Sequence, residues 1–202
     1  TVGRIVAKSQ VVAEPSATVT NLGTVLSEGT IEFKQSSYVN DGRLEAKGHI
    51  SFPQSESLEN RKTGVMVSQG GGILFPRLKK FMNHGQLSSR DNLAFHHLAT
   101  FVNTGKLHTV QDLSVTTPGD FMAQGQFMGQ QNLSFQIGGT FTNRATLQSD
   151  GNLSVSGTQL ALHSPLMGKK GVTLHTSGTL ASHSGAIIHS PEGAVKLTGQ
   201  SV

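Results

Sequence analysis

The chain contains no cysteine and no tryptophan, one tyrosine, and only 14% charged residues among its 202. The absence of cysteine excludes disulfides and thiolate chemistry and suits a chain exported unfolded, which would carry no premature crosslinks. No apolar run approaches the roughly 18 residues of a membrane-spanning helix, and no charged-then-apolar leader is visible at the start. Sixteen Lys and Arg against 12 Asp and Glu leave a net charge of +4, thinly spread. A nucleic-acid interface needs a Lys/Arg stripe with accessible aromatics; the Phe residues here occupy positions that read as buried, so no nucleic-acid partner is expected. Helix is opposed by 24 Gly, 6 Pro and the lack of any sustained i, i+3, i+4, i+7 pattern. Hydrophobic residues are only 35%, but they recur periodically, which excludes a disordered chain.

What is present is a repeat. Asn103-Thr-Gly105-Lys-Leu107 is followed by Leu113-Ser-Val115 and Phe121. The same order starts 20 residues earlier at Asn83-His-Gly85-Gln-Leu87, with Leu93, Phe95 and Phe101, and 20 later at Ala123-Gln-Gly125-Gln-Phe127, with Leu133, Phe135 and Phe141. Asn143-Arg-Ala145-Thr-Leu147 continues it with Leu153 and Val155. Backwards the units begin at Lys62, Asn40, Asn21 and Thr1, and forwards at His163 and His183. A fixed period of about 20 residues marks a repeat architecture, and ten units fill the chain.

Inside each unit the apolar spacing is two, as in Leu113-Ser-Val115 and Leu153-Ser-Val155, which is the alternation of strands with one buried face. Three short strands per unit leave room for tight turns alone, and Gly at the third position supplies a residue that tolerates φ > 0. One such unit cannot bury its apolar face; stacked units can. The fold expected is all-β: a right-handed parallel β-helix (β-solenoid) of about ten coils of roughly 20 residues, with three short strands per coil. Equivalent side chains then form columns: Phe101, Phe121 and Phe141 in one, Leu93, Leu113, Leu133 and Leu153 in another, and a turn ladder of Asn21, Asn40, Asn83, Asn103 and Asn143.

The whole of 1–202 reads as a single solenoid segment, the expected fragment of a longer rod, most regular over 83–162. Residues 40–82 are irregular: Asn40 and Asn83 are 43 apart, so two coils carry about three extra residues, expected as loops at Ser55–Lys62 and Gly70–Gly72. This stretch holds Arg61, Lys62, Arg77, Lys79 and Lys80, the candidate partner-binding residues, since loops that break a regular scaffold are where solenoids place recognition. No catalytic, cofactor or metal set emerges. Asp91, Asp112, Asp120 and Asp150 fall at or near turns, with no carboxylate pair. The nine His include the neighbours His96 and His97, whose side chains a strand would point to opposite faces, and no carboxylate repeats beside them.

The unit Asn-x-Gly-x-Leu, a polar run, Asp/Gly-Asn-Leu-Ser-Val/Phe and then Phe-x-Asn resembles the filamentous-haemagglutinin repeat, most closely at Arg90-Asp91-Asn92-Leu93-Ala94-Phe95, Gln131-Asn132-Leu133-Ser134-Phe135 and Asp150-Gly151-Asn152-Leu153-Ser154-Val155. That family includes large adhesins and the exoproteins of contact-dependent growth inhibition. The resemblance implies export through an outer-membrane two-partner-secretion transporter and a place on the bacterial cell surface or in the medium. It further implies a non-catalytic shaft that holds a distal adhesive or toxin element out toward a receptor or glycan of a host or neighbouring cell. No recognition domain of the kind that opens such exoproteins is visible, nor a C-terminal toxin, so an internal segment is expected. The alternative is a carbohydrate-binding or carbohydrate-cleaving β-helix, of polysaccharide-lyase or tailspike type, which a groove lined by carboxylates would favour.

Overall fold

The computed structural model describes residues 3–200, so the expected unit beginning at Thr1 starts outside the described residues. Among them there is no helix, and 29 short strands follow one another around about ten turns, three to a turn. Every strand pairing is parallel and in register with the equivalent strand of the next turn, as between Val25 and Leu44, or Leu133 and Leu153. This is the β-solenoid read from the 20-residue period. The residues through Leu93 with Leu98–Leu107 form one compact unit, and Ala94–His97 with the residues from His108 form a second.

In the first unit, the period-two alternation sends one column of each sheet inward. Val25, Leu44, Met66 and Leu87 stack in the first sheet, Ile31, Ile50 and Ile73 in the second, and Tyr38, Leu58 and Phe81 in the third, all buried. Beside the third column runs a ladder of buried amides. Asn21 Nδ2 donates to Asn40 Oδ1 at 2.8 Å, Asn40 to Asn60 at 2.9 Å, Asn60 to Asn83 at 2.7 Å and Asn83 to Asn103 at 2.7 Å. Each donor amide also reaches the carbonyl of the residue that opens the next turn's first strand: Arg43, Val65, Gln86 or Lys106. The expected ladder therefore exists as a buried feature, and it includes Asn60, whose place the sequence reading gave to Lys62. Its last expected member, Asn143, belongs to the second unit, between Ala123 and Leu162 in register, and caps its own turn through Ala145 N at 3.0 Å.

The extra residues of the irregular stretch are now located. Ser57–Asn60 pairs in register 20 residues after Ser37–Asn40, so this part of the expected Ser55–Lys62 loop is regular strand. The additions lie at Asn60-Arg61-Lys62-Thr63-Gly64, where other turns read Asn-x-Gly, and at Gln69–Gly72. Glycine at the third position serves the expected purpose at three turns and a different one at the others. Positive φ occurs at Gly3, Gly125 and Gly185. Elsewhere the turns stack too closely for a side chain: a Cβ on Gly42 would sit 2.0 Å from Gly23 O, and one on Gly85 2.2 Å from Gly64 O.

In the second unit, Leu113, Leu133, Leu153, Val172 and Val195 form one register column. Phe121 and Phe141 stack with centroids 6.1 Å apart and planes at 13°, and Phe135 packs between columns, 5.7 Å from Phe121 and 5.2 Å from Phe141. Phe101, expected in that stack, lies in the first unit and packs on Phe81 at 5.3 Å. The turn at Gly157-Thr158 is one residue shorter than its predecessor, so Asn143 is in register with Leu162 and Leu147 with Leu166. The frame expected from His163 and Met167 is one residue late, and a slip of one reverses the face: His163 and Met167 turn outward. By the next turn Ser182 and Ile188, not His183 and Ile187, hold the inward register.

Two outcomes follow for stability. Phe121→Ala should cost about 3–5 kcal/mol, because it opens a cavity against Phe127, Phe135 and Phe141. Thr116→Ala, on the outer face, should stay within about 0.5 kcal/mol; equal shifts in a urea titration would refute the in–out assignment. Tyr38 is fully buried between Phe33 and Phe52, its hydroxyl has no protein partner, and burial pushes its phenol pKa up. Tyr38→Phe is therefore expected to leave stability unchanged or raise it by about 1–3 kcal/mol, the desolvation cost of an unpaired buried polar group; a lower urea midpoint would show that the hydroxyl is bonded.

Candidate functional site

The five cations singled out by sequence are all exposed and all in the first unit. Twelve of the 16 Lys and Arg lie in that unit with 8 of the 12 acids, so the whole net charge of +4 belongs to it. Yet the five do not form one cluster. Arg61 and Lys62 occupy the inserted turn after Ser57–Asn60. Arg77, Lys79 and Lys80 lie at or before the start of Lys80–Asn83, where Lys80 faces Ser57 and Asn83 faces Asn60. The two groups thus sit at opposite ends of one strand pair, roughly 10 Å apart at 3.3 Å per residue.

Carboxylates neutralise part of this charge. Arg61 Nε donates to Glu59 Oε1 at 3.0 Å with Asp41 at 3.9 Å, and Lys79 Nζ donates to Glu56 Oε1 at 2.9 Å. Among the described residues no carboxylate pairs with Lys62, Arg77 or Lys80. Of the five, those three are the ones without a carboxylate partner.

Acids elsewhere serve turns. Asp112 Oδ1 accepts from Asn132 N at 3.0 Å and Asn132 Nδ2 at 2.8 Å, and Asn132 Oδ1 accepts in turn from Asn152 N at 3.0 Å. Asp120 accepts from Thr140 N at 2.7 Å. This Asp112–Asn132–Asn152 column is a second side-chain ladder, and its signal was the x-Asn-Leu-Ser element that carried the family resemblance. An open depression of about 240 Å³ in the first unit is lined by Arg4, Val6, Leu26, Glu28, Glu45 and Lys47. Its carboxylates are engaged: Glu28 by Lys47 at 2.6 Å, Glu45 by Arg43 at 2.8 Å and by Gln69.

No three His, Asp or Glu residues converge among the described residues. His96 and His97 are both exposed, because the strand ends at His96 and His97 turns into the left-handed region at φ 52°. His163 and His183, expected at the Asn ladder position, instead stand one residue beyond it, with rings stacked 4.0 Å apart at 5°. The repeat frame places the two one coil apart; what it does not reveal is the one-residue deletion in the Gly157-Thr158 turn that turns His163 outward. Among the described residues no helix is long and apolar enough to cross a membrane. No protein-family model matches the chain, and no curated protein or solved structure is significantly similar to it.

A variant with Arg61, Lys62, Arg77, Lys79 and Lys80 all changed to Gln should melt within a few degrees of the parent, since exposed ion pairs contribute about 0–1 kcal/mol each. Binding of the parent to anionic glycans or vesicles should fall as salt rises, with exposed charges screened over about 8 Å at physiological ionic strength. The five-fold variant should lose it. A salt-independent pull-down, or one the variant reproduces, removes these residues as a binding surface.

Proposed function

We propose that this chain is a structural and adhesive shaft segment of a large secreted bacterial surface exoprotein, an adhesin or a carrier for contact-dependent toxin delivery, of the filamentous-haemagglutinin type. Its action is mechanical. It spaces a distal binding or toxin element from the cell after export through an outer-membrane two-partner-secretion transporter. The observation that supports this reading is where the repeated chemistry lies. The Asn ladder, the apolar columns and the close Gly contacts all serve the stacking of one coil on the next. The acids of the depression are bound to cations, and Asp112 and Asp120 to turns, rather than arranged as an acid–base pair. Parallel in-register strands also suit a spacer, because each coil offers the next a complete set of backbone partners.

Two measurements test the proposal. The purified chain, incubated with polygalacturonate, alginate and neutral glycans, should release neither unsaturated uronides nor reducing ends; release in proportion to protein would turn the reading to the carbohydrate-cleaving alternative. Antibodies against the chain should label intact producing cells, and protease shaving should remove the label. Labelling that requires lysis would refute the surface role.

A further inference from the structure

Three successive coils of the second unit place a cation or a protonatable ring at one register. Arg144, His163 and His183 each follow the last residue of a strand in the four-stranded sheet that holds Phe121 and Phe141: Asn143, Leu162 and Ser182, which are in register. Their backbone amides repeat the step, Arg144 N to Ala123 O, His163 N to Asn143 O and His183 N to Leu162 O, each 2.9 Å. Arg144 and His183 are exposed and His163 is half-buried. The imidazoles lie face to face 4.0 Å apart. On the strands beside the column, the outward residues are Thr142, Ala161 and Ala181 on one side and Thr146, Gln148, Met167 and His189 on the other. His189 is the one titratable group among them. No carboxylate pairs with Arg144, His163 or His183 among the described residues.

Neutral imidazoles can stack at this distance, but two imidazolium rings beside a guanidinium repel one another. Partial burial holds the His163 pKa below its ordinary 6.5, and His183 and Arg144 push it further the same way. Once protonated, the column carries three positive charges, and among the described residues no carboxylate pairs with them.

We propose that the Arg144–His163–His183 column is a proton-linked oxyanion site that takes a sulfate, phosphate or carboxylate group, free or carried by a linear acidic glycan laid along the coils. The guanidinium and two imidazolium N–H groups donate charge-assisted hydrogen bonds to the anion. The site is independent of the shaft reading and lies in a different unit from the five cations of the first. The sign of the linkage is fixed. An oxyanion stabilises the protonated rings, so it raises their midpoints, and by reciprocity it binds more tightly as pH falls. Above the imidazole range its affinity should drop about tenfold per pH unit for each proton taken up.

The test is a titration of the imidazole C–H resonances of the 202-residue chain in sulfate and in chloride at matched ionic strength. The His163 and His183 midpoints should rise in sulfate, while that of His175, on the outer face of another sheet, should not. Calorimetry at pH 5.5 and 7.5, with sulfate and with oligogalacturonate, separates the sources. Comparable binding of both identifies a free-ion site, and much tighter binding of the oligomer identifies an extended acidic ligand. His183→Gln and Arg144→Gln should each weaken binding at pH 5.5 by about tenfold or more. Equal midpoints in the two salts, no binding of either probe, or variants that bind like the parent would overturn the proposal.

Discussion

The fold depends on one requirement: parallel coils must meet in register, with the buried amides of one turn bonded to those of the next. In the first unit the Asn ladder meets it most stringently. Four Asn–Asn bonds of 2.7–2.9 Å lie in the dry interior, and each donor amide also ties a backbone carbonyl of the following turn. A buried amide without partners costs far more than a satisfied one gains, so the ladder admits one register only. The inserted turn at Arg61-Lys62 shows its strength. Two residues are looped outward, and Asn60 still joins Asn40 to Asn83.

Smaller devices act with it. Ser27, Ser68 and Ser149 end their strands inward and donate to carbonyls of the adjoining turns, Ser9 O, Gly48 O and Gln131 O. Glycines at the third position let backbones meet where a Cβ would overlap a carbonyl. Aromatic bulk then moves between columns from coil to coil, as Phe33, Tyr38 and Phe52 in the first unit and Phe121, Phe127, Phe135 and Phe141 in the second. Interior volume is kept while the residues change.

Such an interior leaves many outward strand positions free of folding duty. Substitutions there are nearly neutral for stability, so chemistry can appear in columns without disturbing the coil. The Arg144–His163–His183 column and the three cations Lys62, Arg77 and Lys80 are both of this kind. Each draws its character from which residues neighbouring coils bring to one register, and a carboxylate one coil away suffices to cancel it, as Glu56 does for Lys79.

The period, the alternation of two and the turn residues were enough to establish the parallel solenoid, its coil count and most of its inward columns. These are local signals repeated many times, and stacking reads only the repeat. Where a turn gains or loses a residue the repeat loses its authority, because one position reverses the face. Whether Asn60 or Lys62 forms the rung, and whether Leu162 or His163 points inward, follows from which register satisfies the buried hydrogen bonds of the coils on either side. The division of the five basic residues into two groups has the same origin: residues close in sequence are separated by the length of a strand, while Arg144, His163 and His183, some twenty residues apart, become neighbours. Proximity across coils is a property of the stack, and no stretch of the chain contains it.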